Sequence, residues 1–264
     1  MKRLAFGLFA LLSLAAAAVL LAPATLLERL VRERTAARLT LEAPSGSVWK
    51  GSADLAVALP DGRTVTAPGL RWRVSPWALL AGGVEGELLP AGSESGAPAT
   101  GRFRLHRDSF VLRDVRLTLP AEVLGAIGAV AAASPSGTIT AEIGEVRWSP
   151  PGGSGGGTLA WRSASVALPP EGTRVDLGLV TVRFEVADGR LRYRLGSSGG
   201  SLGIEGAGDW TPGAVPTLDA SVRPTASTAA PVSSTLSLLG PPGADGAYRF
   251  RFPFARAPGP AAAR

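Results

Sequence analysis

From Thr40 to the C-terminal region, apolar and polar side chains alternate with a period of two, and glycine-rich turns interrupt the alternation at short intervals. A period of two puts successive side chains on opposite faces of a strand, so most of this chain is committed to half-buried sheet. Strands are expected over Ala53–Leu59, Leu70–Val74, Arg102–His106, Phe110–Leu119, Thr138–Ile143, Thr158–Arg162, Thr181–Val186, Arg190–Leu195, Leu218–Val222 and Tyr248–Phe252. Between Val182 and Leu195, Ala187-Asp188-Gly189 supplies an Asp-Gly turn, the strongest short hairpin signal in the chain. With 34 Gly and 22 Pro, turns are plentiful and loops short. The fold class is mainly β: an antiparallel meander, curled or sandwich-like, because hairpin connections need only short loops. Two segments break the pattern. Ala121–Ala133 opens after Pro120 with Glu122 in its first turn and reads as a helix, as does Ser233–Leu239, stopped by Gly240-Pro241-Pro242. Gly92–Thr100 and Pro150–Gly157 are rich in Gly, Ser and Pro and read as mobile loops.

The N-terminus has a different pattern. Met1-Lys2-Arg3 precedes an uncharged apolar run, Leu4–Ala22, whose 19 residues span roughly 28 Å at helical rise, about one hydrocarbon core. A cleaved signal peptide is the rival, since Ala16-Ala17-Ala18 resembles a cleavage site. The apolar run continues past that site and exceeds a usual signal core, so a retained transmembrane helix is expected. The tail of residues 1–3 is then cytoplasmic and the bulk of the chain periplasmic. Arg29, Arg32, Arg34 and Arg38 on the far side oppose this orientation by the positive-inside count. Thr25-x-x-Glu28 forms a capping box that starts a juxtamembrane helical stalk within residues 23–39. Residues 40–264 form the β-rich domain.

The chain is poor in side chains that do chemistry. It has no Cys and one His, His106, so thiolate metal sites and cysteine nucleophiles are excluded. No activated serine stands in a G-x-S-x-G turn, and the carboxylates are scattered singly. Gly155-Gly156-Gly157-Thr158-Leu159-Ala160 fits a dinucleotide motif on paper, but a strand rather than a helix should come after it. Neither catalytic, cofactor-binding nor metal-binding residues are therefore assigned, and no cofactor is expected. The net charge of +6 is carried almost wholly by arginine, and aromatics do not interleave with basic clusters. Nucleic acid is not an expected partner. Arginines two apart, at 71/73, 102/104, 190/192/194 and 249/251, each line one sheet face. Most such rows are solvated surface. Arg190, Arg192 and Arg194 form the longest and are the candidate partner face, for an acidic partner or for headgroups.

Ser45-Gly46-Ser47-Val48-Trp49, Ser136-Gly137-Thr138-Ile139, Gly156-Gly157-Thr158-Leu159 and Gly199-Gly200-Ser201-Leu202 repeat one phrase, a glycine turn before Ser or Thr and an apolar residue. This suggests a hairpin unit used repeatedly, in two halves split near residue 133. More specific is the pairing of Gly46, Val48, Trp49 and Gly51 with Trp72, Pro76, Leu79, Leu80 and Gly82 some twenty residues later. This pair of segments resembles the type II secretion system protein N family, also called general secretion pathway protein N. The C-terminal stretch from Ser237 to Phe250 fits more loosely. The resemblance implies an inner-membrane accessory subunit of the machine that exports folded periplasmic proteins across the outer membrane, with other secretion subunits as partners and no catalytic residues. Trp49 and Trp72 are expected as core anchors. An anchored meander is also similar to AsmA-like and LptC-like envelope proteins, which would make lipid the partner, held in an apolar β-groove.

Overall fold

The computed structural model describes residues 21–90, 99–126, 133–150, 152–168, 172–226, 228, 232, 236 and 241–252, with the side chains of Leu80, Ala81 and Leu168 excepted. The expected membrane helix therefore lies outside the described residues except for Leu21 and Ala22. No described helix is long and apolar enough to cross a membrane.

The chain forms one antiparallel sheet whose thirteen strands keep chain order, a meander. They are β1 (Leu39–Gly46), β2 (Lys50–Ala58), β3 (Thr64–Ser75), β4 (Gly83–Leu89), β5 (Ala99–His106), β6 (Phe110–Pro120), β7 (Ser136–Ser149), β8 (Gly152–Leu168), β9 (Thr173–Ala187), β10 (Arg190–Gly199), β11 (Leu202–Trp210), β12 (Leu218–Pro224) and β13 (Tyr248–Phe252). Helix α1 (Ala24–Arg34) precedes them, and 3-10 turns occupy Pro76–Ala81 and Ala121–Ala126. The second of these is what the expected helix at Ala121–Ala133 becomes over its first six residues; residues 127–132 lie outside the described set. Of the loop expected at Gly92–Thr100, residues 92–98 also lie outside it, and Ala99 and Thr100 open β5.

Two compact units divide the chain, Met1–Leu117 and Thr118–Arg264. In unit 1, helix α1 lays Ala24, Leu27 and Val31, one helical stripe, against Leu41, Ala53 and Trp72. The stripe has the i, i+3, i+7 spacing of an amphipathic helix. Packing rather than capping holds it: Thr25, expected as the cap, lies inside the helix, and Pro23 at the N-cap has no side-chain cap bond. In unit 2, Ala164, Val175, Leu177, Leu202 and Val222 form the core, with Val232 and Leu236 packed on it. Both of the latter are helical, one just before and one within the segment expected as a short helix, most of which is not described.

The Asp188-Gly189 hairpin forms as expected. Arg190 pairs with Ala187, and both turn residues have positive φ, 51° and 73°, as a type I′ turn requires.

Glycine-rich sequence departs from expectation elsewhere. Pro150–Gly157, expected as a mobile loop, is instead the end of a hairpin: β8 begins at Gly152 and pairs with both β7 and β9. The physical reason is space. Gly153 lies opposite Trp148, and Gly157 opposite Phe184, in the ladder. A Cβ at Gly153 would sit 2.7 Å from the Trp148 ring, and one at Gly157 would sit 2.8 Å from the Phe184 ring. The glycines leave room for aromatic rings to lie flat across the neighbouring strand. The same relation links Gly51 with Trp72, Gly86 with Phe103 and Gly208 with Tyr193. Strands β1, β4 and β11 are absent from the expected set, and β4 and β11 are strands of this glycine-bearing kind. The Gly155–Ala160 motif falls inside β8, with no helix after it.

Candidate functional site

The residues singled out by motif assemble into one knot in unit 1. Strand β1 ends at Gly46, whose φ of +84° bends the chain into the turn, and a Cβ there would come within 2.5 Å of the Lys50 carbonyl. The turn closes with the Ser47 amide donating to the Lys50 carbonyl at 2.9 Å. Val48 is gripped from two sides. Its amide donates to the Ala22 carbonyl at 2.9 Å, and its own carbonyl accepts the Trp72 indole N–H at 3.0 Å. The Trp49 carbonyl in turn accepts the Val74 amide at 2.7 Å. Trp72 is 4 % exposed, and Gly51 lies beneath its ring. Trp49, expected in the core beside it, is only half-buried at the turn. Its backbone carbonyl links the turn to β3.

The second motif segment shapes the β3–β4 connection. Pro76 starts the 3-10 turn, where its missing N–H costs nothing, and Gly82 ends it in the left-handed conformation at φ +73°. Leu79 points outward, 44 % exposed. The motif residues bond to their neighbours through backbone and indole groups, and none of them is ionisable. This arrangement fastens the N-terminal segment to the sheet.

Once carboxylates are placed, every member of the other arginine rows except Arg71 has an acidic partner. Arg73 pairs with its register partner Glu87 at 2.7 Å, and Arg104 with its register partner Glu85 at 2.9 Å. Arg102 pairs with Asp114, Arg251 with Asp219, and Arg249 with Asp245 at 2.6 Å. These are solvated pairs, cross-strand except for Arg249–Asp245, which links β13 to the turn before it. The Arg104 guanidinium, by hydrogen bond and charge, holds the Glu85 carboxyl below its ordinary value. The Arg249 hydrogen bond and the Ala247 amide do the same for Asp245.

The candidate row differs. Arg190 reaches Asp209 at 3.8 Å, but among the described residues Arg192, Arg194 and the neighbouring Arg183 form no ion pair. Arg194 and Arg183 are register partners, so two guanidinium-bearing side chains stand side by side on one face. They line an open groove of about 980 Å³ across β9–β12, with Thr181 and Ser198 also on its wall. Arg183 was not part of the row expected from sequence. It lies on a different strand, and only the register brings it in. Tyr193, on the opposite face of β10, has its hydroxyl pKa raised by burial and by the Asp209 charge.

His106 sits at the end of β5 with its ring over Gly83. Among the described residues no three His, Asp or Glu side chains are grouped as metal ligands would be. The Gly-rich segment that fits a dinucleotide motif on paper is strand throughout, so no helix N-terminus is available there for a phosphate.

A sequence model of the family "Type II secretion system (T2SS), protein N" matches residues 37–251. The chain belongs to the type II secretion system protein N family. The matched range runs from just before β1 into β13, so it takes in nearly the whole meander, while α1 and Leu4–Ala22 precede it. Comparison with curated proteins and with solved structures returned no match. As a protein N, the chain is a component of type II secretion, a machine with other subunits for it to meet. The knot of Gly46, Val48, Trp49, Gly51 and Trp72 lies inside the matched range. So do Arg183, Arg192 and Arg194.

Proposed function

We propose that this protein N is an accessory, scaffolding subunit of the secretion apparatus, held in the inner membrane by Leu4–Ala22. Its N-terminus is cytoplasmic and its sheet periplasmic, and it assists export of folded proteins by docking other subunits rather than by catalysis. The observation that carries this reading is the family match over residues 37–251, which reaches from β1 into β13. The apolar run before the matched range supports the membrane attachment. The unpaired Arg183, Arg192 and Arg194 support docking, because uncompensated charge on an exposed sheet face steers and orients an acidic partner.

The test is genetic. In-frame deletion in the native host should lower export of a folded secreted enzyme, with that enzyme accumulating in the periplasm, and the intact gene should restore it. Unchanged export would overturn the reading. Alkaline phosphatase fused after Arg264 should be active, and inactive fusions would reverse the proposed topology.

A second reading, lipid handling, rests on the opposite face of unit 2. Val182, Phe184, Tyr193 and Leu195 there are only partly buried. Stoichiometric phospholipid extracted from the detergent-purified, delipidated protein would favour it.

A further inference from the structure

Three observations converge on one end of unit 1. First, the apolar run Leu4–Ala22 passes into the domain without a linker. The Ala22 carbonyl accepts the Val48 amide at 2.9 Å, and Pro23 forms a β-bridge with Ser47. Wherever the run ends, the β1–β2 turn is fastened to it. Second, the antiparallel pairing puts the β3–β4 connection at the same end as that turn. Gly51 lies opposite Trp72 and Lys50 opposite Arg73, and the Trp49 carbonyl accepts the Val74 amide at 2.7 Å. Trp77 comes three residues after Val74, within about 10 Å of chain. Third, this connection leaves large apolar side chains open to solvent. Trp77 is 75 % exposed and Leu79 44 %, and Leu21 is 78 % exposed where the run enters. The β5–β6 turn at this end adds Arg107, and β2 starts with Lys50, both exposed and cationic.

We infer that this end of unit 1 sits in the phospholipid headgroup layer, with Trp77 and Leu79 inserted at the acyl boundary. The inference rests on the reading that Leu4–Ala22 crosses the membrane. A tryptophan ring is apolar over most of its area but carries one N–H, which suits it to the boundary between headgroups and tails. Exposing it to water instead would leave most of its surface unburied, together with Leu79 and Leu21. Fastening the span directly to the β1–β2 turn fixes the distance between the bilayer and this end, so insertion needs no rearrangement. Docking by a protein partner is the competing occupant. It has no support from the way the apolar run enters the domain.

The chain's lack of cysteine makes the test direct. The full-length variants Trp77→Cys and Ala58→Cys, the second exposed at the opposite end of β2, are each labelled with an environment-sensitive fluorophore. They are reconstituted in vesicles of phosphatidylethanolamine and phosphatidylglycerol. The label at position 77 should shift to the blue, lose most of its emission to a nitroxide placed near the lipid glycerol, and resist aqueous iodide. The label at position 58 should do the reverse. Protein that floats with the vesicles but shows iodide quenching at both positions would overturn this inference while leaving the membrane span intact. Protein that does not float would overturn the span and the inference together.

Discussion

Trp72 stands directly across from Gly51 in the pairing of β2 with β3, and its indole N–H reaches past the glycine to the Val48 carbonyl at 3.0 Å. One side chain thus fills the core beneath α1, covers a glycine on the neighbouring strand and closes the turn that receives the N-terminal segment. Glycine is required opposite because a Cβ there would lie 2.6 Å from the ring and 2.7 Å from the Ser45 carbonyl.

Truncating that ring should be the costliest single change in unit 1. Trp72→Ala is expected to lose about 3–5 kcal/mol, as large aromatic truncations in cores do. Trp72→Phe keeps most of the apolar volume but leaves the Val48 carbonyl without its donor, at a cost of about 1–3 kcal/mol. Trp49→Ala should cost clearly less than Trp72→Ala, since the Trp49 ring is only half-buried. Denaturant unfolding of the full chain in detergent measures all three. Equal losses for the two alanine variants would contradict the placement.

Gly51→Ala should be destabilising by about 1–3 kcal/mol, because the added methyl meets the Ser45 backbone and not only a ring that can turn. Gly144→Ala is the matched control. It has no atom within 4 Å of its Cβ position, and the change should stay within about 0.5 kcal/mol. Comparable destabilisation at both sites would show that strand glycines matter here for the backbone alone.

Neutralising Arg192 and Arg194 to Gln should leave the melting curve unchanged while weakening capture of partner subunits and slowing export. Glutamine is preferable to glutamate because Arg192 lies between Glu185 and Asp209 in register, where a third carboxylate would destabilise the sheet. Arg73→Gln and Arg104→Gln, from the paired rows, should have little effect on capture. The loss of binding should shrink as salt rises. Normal capture by the Arg192/Arg194 variant would remove this face as the docking site.

Glu85 and Asp245 should titrate below ordinary carboxyl groups, which carboxyl-carbon NMR against pH can track. A carboxyl whose folded pKa is depressed stabilises the fold above its unfolded pKa and loses that contribution as pH falls through the folded one. Both groups are solvent-exposed, so the effect on stability is small and confined to acid below the ordinary carboxyl range. Arg104→Gln should return Glu85 toward its ordinary value. No movement would mean that the pair does not persist in solution.

The sequence by itself determined the strand-dominated class, the Asp188-Gly189 hairpin and the family motif, because each is written in local spacing: a period of two, a two-residue turn, glycines and tryptophans at fixed intervals. It also placed arginines 190, 192 and 194 on one face, since alternation along one strand requires nothing else. Local spacing failed where glycine faces an aromatic ring on another strand. Read alone, Gly153 and Gly157 signal a loop, and only the register with Trp148 and Phe184 makes them strand. Tertiary structure likewise decided which charges are compensated. Glu87 neutralises Arg73 from the next strand, while Arg183 arrives from β9 beside Arg194 and adds to its charge. It also buried Trp72 and left Trp49 at the turn, and it brought Val48 within hydrogen-bonding distance of Ala22. Such relationships join residues far apart in the chain, and they depend on the pairing register and helix packing, which no window of neighbouring residues encodes.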